Sequence, residues 1–248
     1  MPPLQSATPT THADEGEGLH FCSTCAFSSA CIDAGYDKPT LRDLHVMVEH
    51  VGPYHAGEHI FRTNDPFRAL YAVRSGAVKT LTVDTDGSEQ VLGFYLPGEL
   101  VGLNAIYPKR FPCDAVALES SQFCRFSFSA ISALATRMPM LQQQLFRMLS
   151  RELGMASRLA GDHSADERVA AFLTDLAQRF AAQGFPARYV HLAMTRNEIA
   201  EYLRLASETI SRILGRFRNQ GLIRVDGRDV EIIDSEQLNV LAHHILAG

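Results

Sequence analysis

The residues best suited to chemistry in this 248-residue chain are three closely set cysteines, Cys22, Cys25 and Cys31. The Cys-x2-Cys-x5-Cys spacing wraps a short loop around one point, and thiolates suit zinc and iron–sulfur sites alike. Two more cysteines, Cys113 and Cys124, follow much later, and either could supply a fourth ligand. Structural disulfides do not fit a chain that starts without a secretory signal. Spacing alone leaves open an iron–sulfur cluster, a zinc ion, a thiol–disulfide switch and no metal at all.

A second constellation lies near the other end. Thr195-Arg-Asn-Glu198 is a capping box, in which the threonine caps a helix start and the glutamate three residues on reaches back. Ile199, Ala200 and Leu203 fall on one face of that helix. A second helix starts at Ser207 and runs to Asn219, with Gly221 beyond it. Two short helices joined by a tight turn, with the small Ala200 where they cross, describe a helix-turn-helix. The following Leu222–Ile233 stretch reads as a β-hairpin turning at Asp226-Gly227, a wing.

Ile210, Ile213, Leu214 and Phe217 form the buried stripe of the second helix, so Glu208, Ser211, Arg212, Arg216 and Arg218 point outward. Six arginines against three glutamates between Thr195 and Arg224 make this face locally basic. Residues near the start of such a helix meet base edges in the major groove. There arginine can bridge guanine O6 and N7, glutamate can accept from a cytosine amino group, and serine can serve either way. Thr195, Arg196 and Arg216 join Glu208, Ser211 and Arg212 as candidate DNA contacts.

The elements that must position these residues divide the chain into four. Residues 1–21 are polar, with no basic start and no apolar run, and read as a flexible tail, not a signal peptide. Residues 22–137 join the cysteine segment to a β-rich sensor domain. Its short apolar runs (Ile60-Phe61, Leu70-Tyr71, Val78–Val83, Val91–Tyr95) are separated by turn formers such as Ser75-Gly76 and Pro97-Gly98, the pattern of a jelly roll or small barrel. Residues 138–161 form one long helix with two apolar stripes. Leu141, Leu145 and Met148 lie on one side. Phe146, Leu149, Leu153, Ala156 and Ala160 repeat at coiled-coil spacing on another, a dimer seam. Residues 162–248 form the winged helix-turn-helix domain, starting with an amphipathic helix over Ala165–Phe180. The fold class is α+β.

Composition is ordinary for a soluble globular chain, with 46% hydrophobic and 21% charged residues and a formal net charge of −5. No run approaches the roughly 20 apolar residues that span a bilayer, so a cytoplasmic protein without membrane contact is expected. Enzyme chemistry finds no constellation. His55 and His59, the best oxygenase-like pair, would lie about 13 Å apart on a strand at roughly 3.3 Å per residue, too far for one metal.

Taken together, Tyr71-Ala-Val-Arg-Ser-Gly76, Leu96-Pro-Gly-Glu-Leu-Val-Gly102, the long helix and Thr195–Leu222 with Glu208-Thr-Ile-Ser-Arg212 resemble the Crp/Fnr family of bacterial transcription regulators. The cysteine triplet, with Cys124 in Ser120-Ser-Gln-Phe-Cys124-Arg, resembles that of the oxygen-sensing Fnr branch. The resemblance implies a cyclic-nucleotide-binding-like jelly roll and a [4Fe–4S] cluster on Cys22, Cys25, Cys31 and Cys124. It implies a homodimer favoured by the intact cluster and weakened by oxygen. The implied target is an inverted repeat of the TTGAT-N4-ATCAA kind, read by Glu208, Ser211 and Arg212. An activator of anaerobic or microaerobic genes follows, which needs contact with RNA polymerase; the acidic Asp84–Gln90 turn is a candidate surface, though its residues suit an ordinary hairpin loop slightly better. Cys113 departs from the branch and is expected to be a spare buried thiol. A cyclic nucleotide is not expected, because Arg110-Phe-Pro-Cys113-Asp lacks the arginine–serine pair that would clamp its phosphate.

Overall fold

The computed structural model describes residues 48–246; Cys22, Cys25 and Cys31 lie outside the described residues. Eight strands come first: β1 (Val48–Tyr54), β2 (His59–Phe61), β3 (Ala69–Ser75), β4 (Val78–Val83), β5 (Glu89–Tyr95), β6 (Leu100–Val101), β7 (Asp114–Ala117) and β8 (Ser121–Ser127). They form two four-stranded antiparallel sheets, ordered β1-β8-β3-β6 and β2-β7-β4-β5. This is the jelly roll that the alternating apolar runs demand. Between the sheets lie Ile60, Phe61, Val73, Val78, Val101, Phe111, Cys113 and Phe123. Phe61 and Phe111 stack with ring centroids 3.7 Å apart, and Phe67 meets Phe111 edge-on. Gly76 turns β3 into β4 at φ 81°, and a Cβ there would stand 2.5 Å from the Ser120 carbonyl oxygen, so only glycine fits.

A short helix α1 (Phe128–Ala135) leads into α2 (Pro139–Ala160), which occupies the stretch where one long helix is expected. Leu141, Leu145, Met148 and Leu149 pack against the roll beside Leu70, Leu100, Phe126 and Ile131. The other stripe faces outward: Phe146 is 58% and Leu153 70% exposed. Ala156 is exposed, Leu149 is half-buried between the two stripes, and the side chain of Ala160 lies outside the described residues.

The last region opens with α3 (Ala165–Ala182), capped by a Ser164–Glu167 capping box. Then follow β9 (Tyr189–His191), α4 (Arg196–Leu203), α5 (Ser207–Asn219), β10 (Ile223–Asp226), β11 (Asp229–Ile232) and α6 (Ser235–Leu246). The expected hairpin turn moves by one residue. Asp226 pairs with Asp229, so the loop is Gly227-Arg228, and Gly227 takes the positive φ of 59° that primed hairpin turns need. The wing also gains a third strand, β9, paired with β11. Neither β9 nor α6 is among the expected elements, although Leu238, Leu241, Ala242 and Ile245 of α6 repeat at helical spacing. The core of this region, including Leu176, Ile199, Ile210, Phe217 and Leu238, continues into Val91, Phe94 and Leu96 of the roll.

Candidate nucleic-acid interface and thiol site

The start of α4 is built as its sequence demands. The Thr195 N–H donates to Glu198 Oε2 at 2.7 Å, and the Glu198 N–H donates back to Thr195 Oγ1 at 3.2 Å. The helix stops at Arg204, whose left-handed φ of 55° swings the chain through Leu205-Ala206 into α5. Ile210, Ile213, Leu214 and Phe217 are buried, which turns Glu208, Ser211 and Arg212 outward together on one exposed face. The Arg212 guanidinium only grazes Thr209 Oγ1, at 3.4 Å, and the Ser211 hydroxyl donates to the Ser207 carbonyl at 3.2 Å. Both side chains stay at the surface with most of their polar capacity unspent.

The other three candidates sit differently. The Thr195 hydroxyl is engaged in the cap. Arg196 is half-buried beside the wing, with Nη2 at 3.5 Å from the Gly227 carbonyl. Arg216 is ion-paired with Asp166 of α3, which ties the far end of α5 to the domain body.

Cys113 and Cys124, the two described cysteines, occupy opposite faces of the roll wall. Cys113 is 0% exposed among the aromatic residues of the roll interior. Burial pushes its thiol above the ordinary cysteine range, opposed only by an amide contact from Asn104 at 3.5 Å. Cys124 is half-buried on the outer side of β8, next to the α2-facing cluster. In the β1–β8 register it stands opposite His50, with Sγ 3.7 Å from His50 Nδ1. Among the described residues no group of three or more His, Cys, Asp or Glu side chains could hold a metal.

Sequence reasoning missed the joints between the parts. Glu99 of Leu96-Pro-Gly-Glu-Leu is clamped by Arg179 of α3, Nε to Oε1 at 2.8 Å and Nη2 to Oε2 at 2.5 Å, with Arg151 of α2 3.3 Å from Oε1. One carboxylate thus joins the roll, the long helix and the DNA-reading region, at the edge of a cleft of about 250 Å³ also lined by Tyr95, Met148, Met155 and Tyr202. Arg179 is buried, and an arginine amid the apolar residues of an amphipathic helix was the available signal, because a buried guanidinium needs a partner.

Two profiles cover most of the described chain. One, described as a cyclic nucleotide-binding domain, matches residues 52–137. The other, a Crp-like helix-turn-helix domain, matches residues 167–241. Transcriptional activator protein anr of Pseudomonas aeruginosa is 41% identical over 230 residues, covering 92% of this chain and 94% of that protein. Electron transport regulator A of Shewanella oneidensis is 39% identical over 233 residues, covering 93% of each. The solved structure of FixK2 from Bradyrhizobium japonicum superposes with a TM-score of 0.70 at 28% identity, covering 78% of this chain and 96% of that one.

Proposed function

This chain belongs to the Crp/Fnr family of DNA-binding transcription regulators, and from that premise we propose that it is a homodimeric, oxygen-responsive activator whose sensor is a [4Fe–4S] cluster. The ligands in this reading are Cys22, Cys25, Cys31 and Cys124. The observation that carries it is the place of Cys124. The chain that follows the cysteine triplet enters the described fold at Val48, and two residues further on His50 pairs with Cys124 across β1 and β8. Cys124 thus lies on β8, one strand in from the β1 edge of its sheet, beside the first described strand. Cys113 faces the opposite way, into a dry interior that disfavours thiolate, so it is the poorer ligand. When bound, the cluster supplies the oxygen-labile element. Of the four residues that would hold it, the described one is Cys124, half-buried on the outer side of β8.

The seam on α2 supports a dimer. Phe146 and Leu153 are large apolar side chains left in water at coiled-coil spacing, and a second copy of the helix would cover them. Two copies of α5 would then read an inverted repeat of the TTGAT-N4-ATCAA kind, with Glu208, Ser211 and Arg212 at the bases and Thr195, Arg196 and Arg216 at its margin. Contact with RNA polymerase is left to exposed loops. In the Asp84–Gln90 turn Asp84–Glu89 is exposed, although Glu89 also pairs with Lys79, and Gln90 donates to the Glu201 carbonyl.

No cyclic nucleotide enters this reading, despite the matching profile. Phe61 and Phe111 stack in the roll interior, the Arg110–Asp114 stretch lacks an arginine–serine pair to clamp a phosphate, and the Asp114 carboxylate is engaged with Thr63 and His59. The test is binding to a duplex carrying the inverted repeat, measured by fluorescence anisotropy without oxygen and after admitting air. Tight anaerobic binding that air abolishes supports the proposal. Equal binding in both conditions would overturn the oxygen response and leave the DNA-binding regulator standing.

A further inference from the structure

The capping box that starts α4 is not closed within the DNA-reading region. Glu198 Oε2 accepts from the Thr195 N–H and hydroxyl, but Glu198 Oε1 lies 3.0 Å from the Nζ of Lys79, on β4 of the roll. Lys79 is only 9% exposed, and its other partner is Glu89 Oε2 at 3.2 Å. Lysine is rarely buried to this degree without pairing. Burial alone would favour the neutral amine; the Glu198 and Glu89 carboxylates overcome it and hold the ammonium above the ordinary lysine value.

Two further contacts accompany this one. Gln90 of β5 donates to the Glu201 carbonyl, one turn along α4. Phe94, which pairs with Lys79 across the sheet, packs edge-on against Phe172 of α3 and Tyr202 of α4, with centroids 6.1 and 5.2 Å away. The roll therefore grips the first helix of the helix-turn-helix at its cap, along its backbone and on its underside. That helix and α5 share the buried residues Ile199, Ala200, Ile210 and Ile213, so they tilt as one body.

We propose that Lys79 is a positioning residue for DNA recognition: a sensor-domain ammonium that completes the capping box of α4 and so sets the angle at which α5 meets the groove. The two recognition helices of a dimer must sit about 34 Å apart, one helical turn of DNA. A small tilt at each α4 would spoil both half-sites together. This inference rests on DNA binding by α5 and not on any metal at the cysteines, so it can fail while the sensor reading stands.

The experiment uses the whole protein with Lys79→Met, Lys79→Arg, Glu198→Gln and the Lys79→Met/Glu198→Gln double variant. Each is measured on a duplex that wild type binds specifically, either TTGAT-N4-ATCAA or the best sequence wild type recovers from a random pool, and on a random duplex. Dimer mass and melting temperature are followed alongside. Lys79→Met should weaken specific binding about 5–150-fold, the usual range for coupling between sites, with little change on random DNA. Lys79→Arg should restore most of the affinity, and Lys79→Met should add nothing in the Glu198→Gln background. Should Lys79→Met not yield a folded dimer, Lys79→Gln carries the same comparisons. Wild-type specific binding, equal weakening on both duplexes, tighter binding, or losses that add in the double variant would each overturn the proposal.

Discussion

The interior of the roll and its outer face treat the same side chain in opposite ways. Cys113 and Cys124 lie on neighbouring parts of one β-sandwich. Cys113 is sealed among Phe61, Phe111 and Phe123, whereas Cys124 faces out from β8 towards β1 and α2. Inside, a thiol is a small apolar filler whose ionisation is suppressed. Outside, it is half-buried on β8 and stands beside His50, with Sγ 3.7 Å from His50 Nδ1. Cys113 in the bend before β7 and Cys124 on β8 thus differ in burial, which spacing in the chain does not reveal.

Stability measurements should separate the two regions most strongly. Phe111→Ala removes a ring stacked at 3.7 Å in the interior and should cost about 3–5 kcal/mol, as large-to-small core changes do. His50→Ala, exposed on the outer face, should cost less than about 1 kcal/mol. Chemical denaturation of both variants checks this, and similar midpoints would erase the distinction. A finer version exchanges the thiols themselves. Cys113→Ser places a hydroxyl in a dry site and should cost about 1–3 kcal/mol, while Cys124→Ser should lie within about 0.5 kcal/mol of wild type in cluster-free protein.

The DNA-reading face extends the contrast, since there exposure again marks function. Arg212→Ala should leave stability nearly unchanged and cost about 1–3 kcal/mol of binding, confined to one base pair per half-site. Uniform weakening across sequences would make Arg212 a phosphate contact instead. The smallest effect concerns acid. The Glu198 carboxyl is held below its ordinary range: burial opposes this, and the Thr195 N–H and Lys79 outweigh it. A depressed carboxylate pKa contributes stability that is present above the ordinary glutamate value and is lost as pH falls through the lowered one. Glu198→Gln should therefore destabilise the protein at neutral pH and lose that penalty in acid. A penalty independent of pH would contradict the assignment.

Legibility in the sequence followed the range of the interactions. The capping box at Thr195, the buried stripe of α5 and the two stripes of α2 depend on residues three or four apart, and each was readable from spacing. The apolar runs of β2 to β5 were readable from alternation. The hairpin turn slipped by one residue, because Asp226-Gly227 and Gly227-Arg228 are both acceptable turn pairs and only the register with β9 and β11 decides between them. Lys79–Glu198 and Glu99–Arg179 were invisible, since each joins residues far apart in the chain through a domain contact that no local pattern encodes. The choice of Cys124 over Cys113 as a ligand came from the family resemblance; the interior place of Cys113 and the outer place of Cys124 could not be read from spacing.

The central claim is tested most directly by an anaerobic visible spectrum with iron and sulfide analysis, repeated after admitting air, on wild type, Cys124→Ser and Cys113→Ser. A [4Fe–4S] cluster on the assigned ligands predicts broad visible absorption that air bleaches, with iron and sulfide in equal amounts. Cys124→Ser should lose both and Cys113→Ser should keep them. A colourless, iron-free wild type, or a cluster lost with Cys113→Ser and kept with Cys124→Ser, would contradict the account.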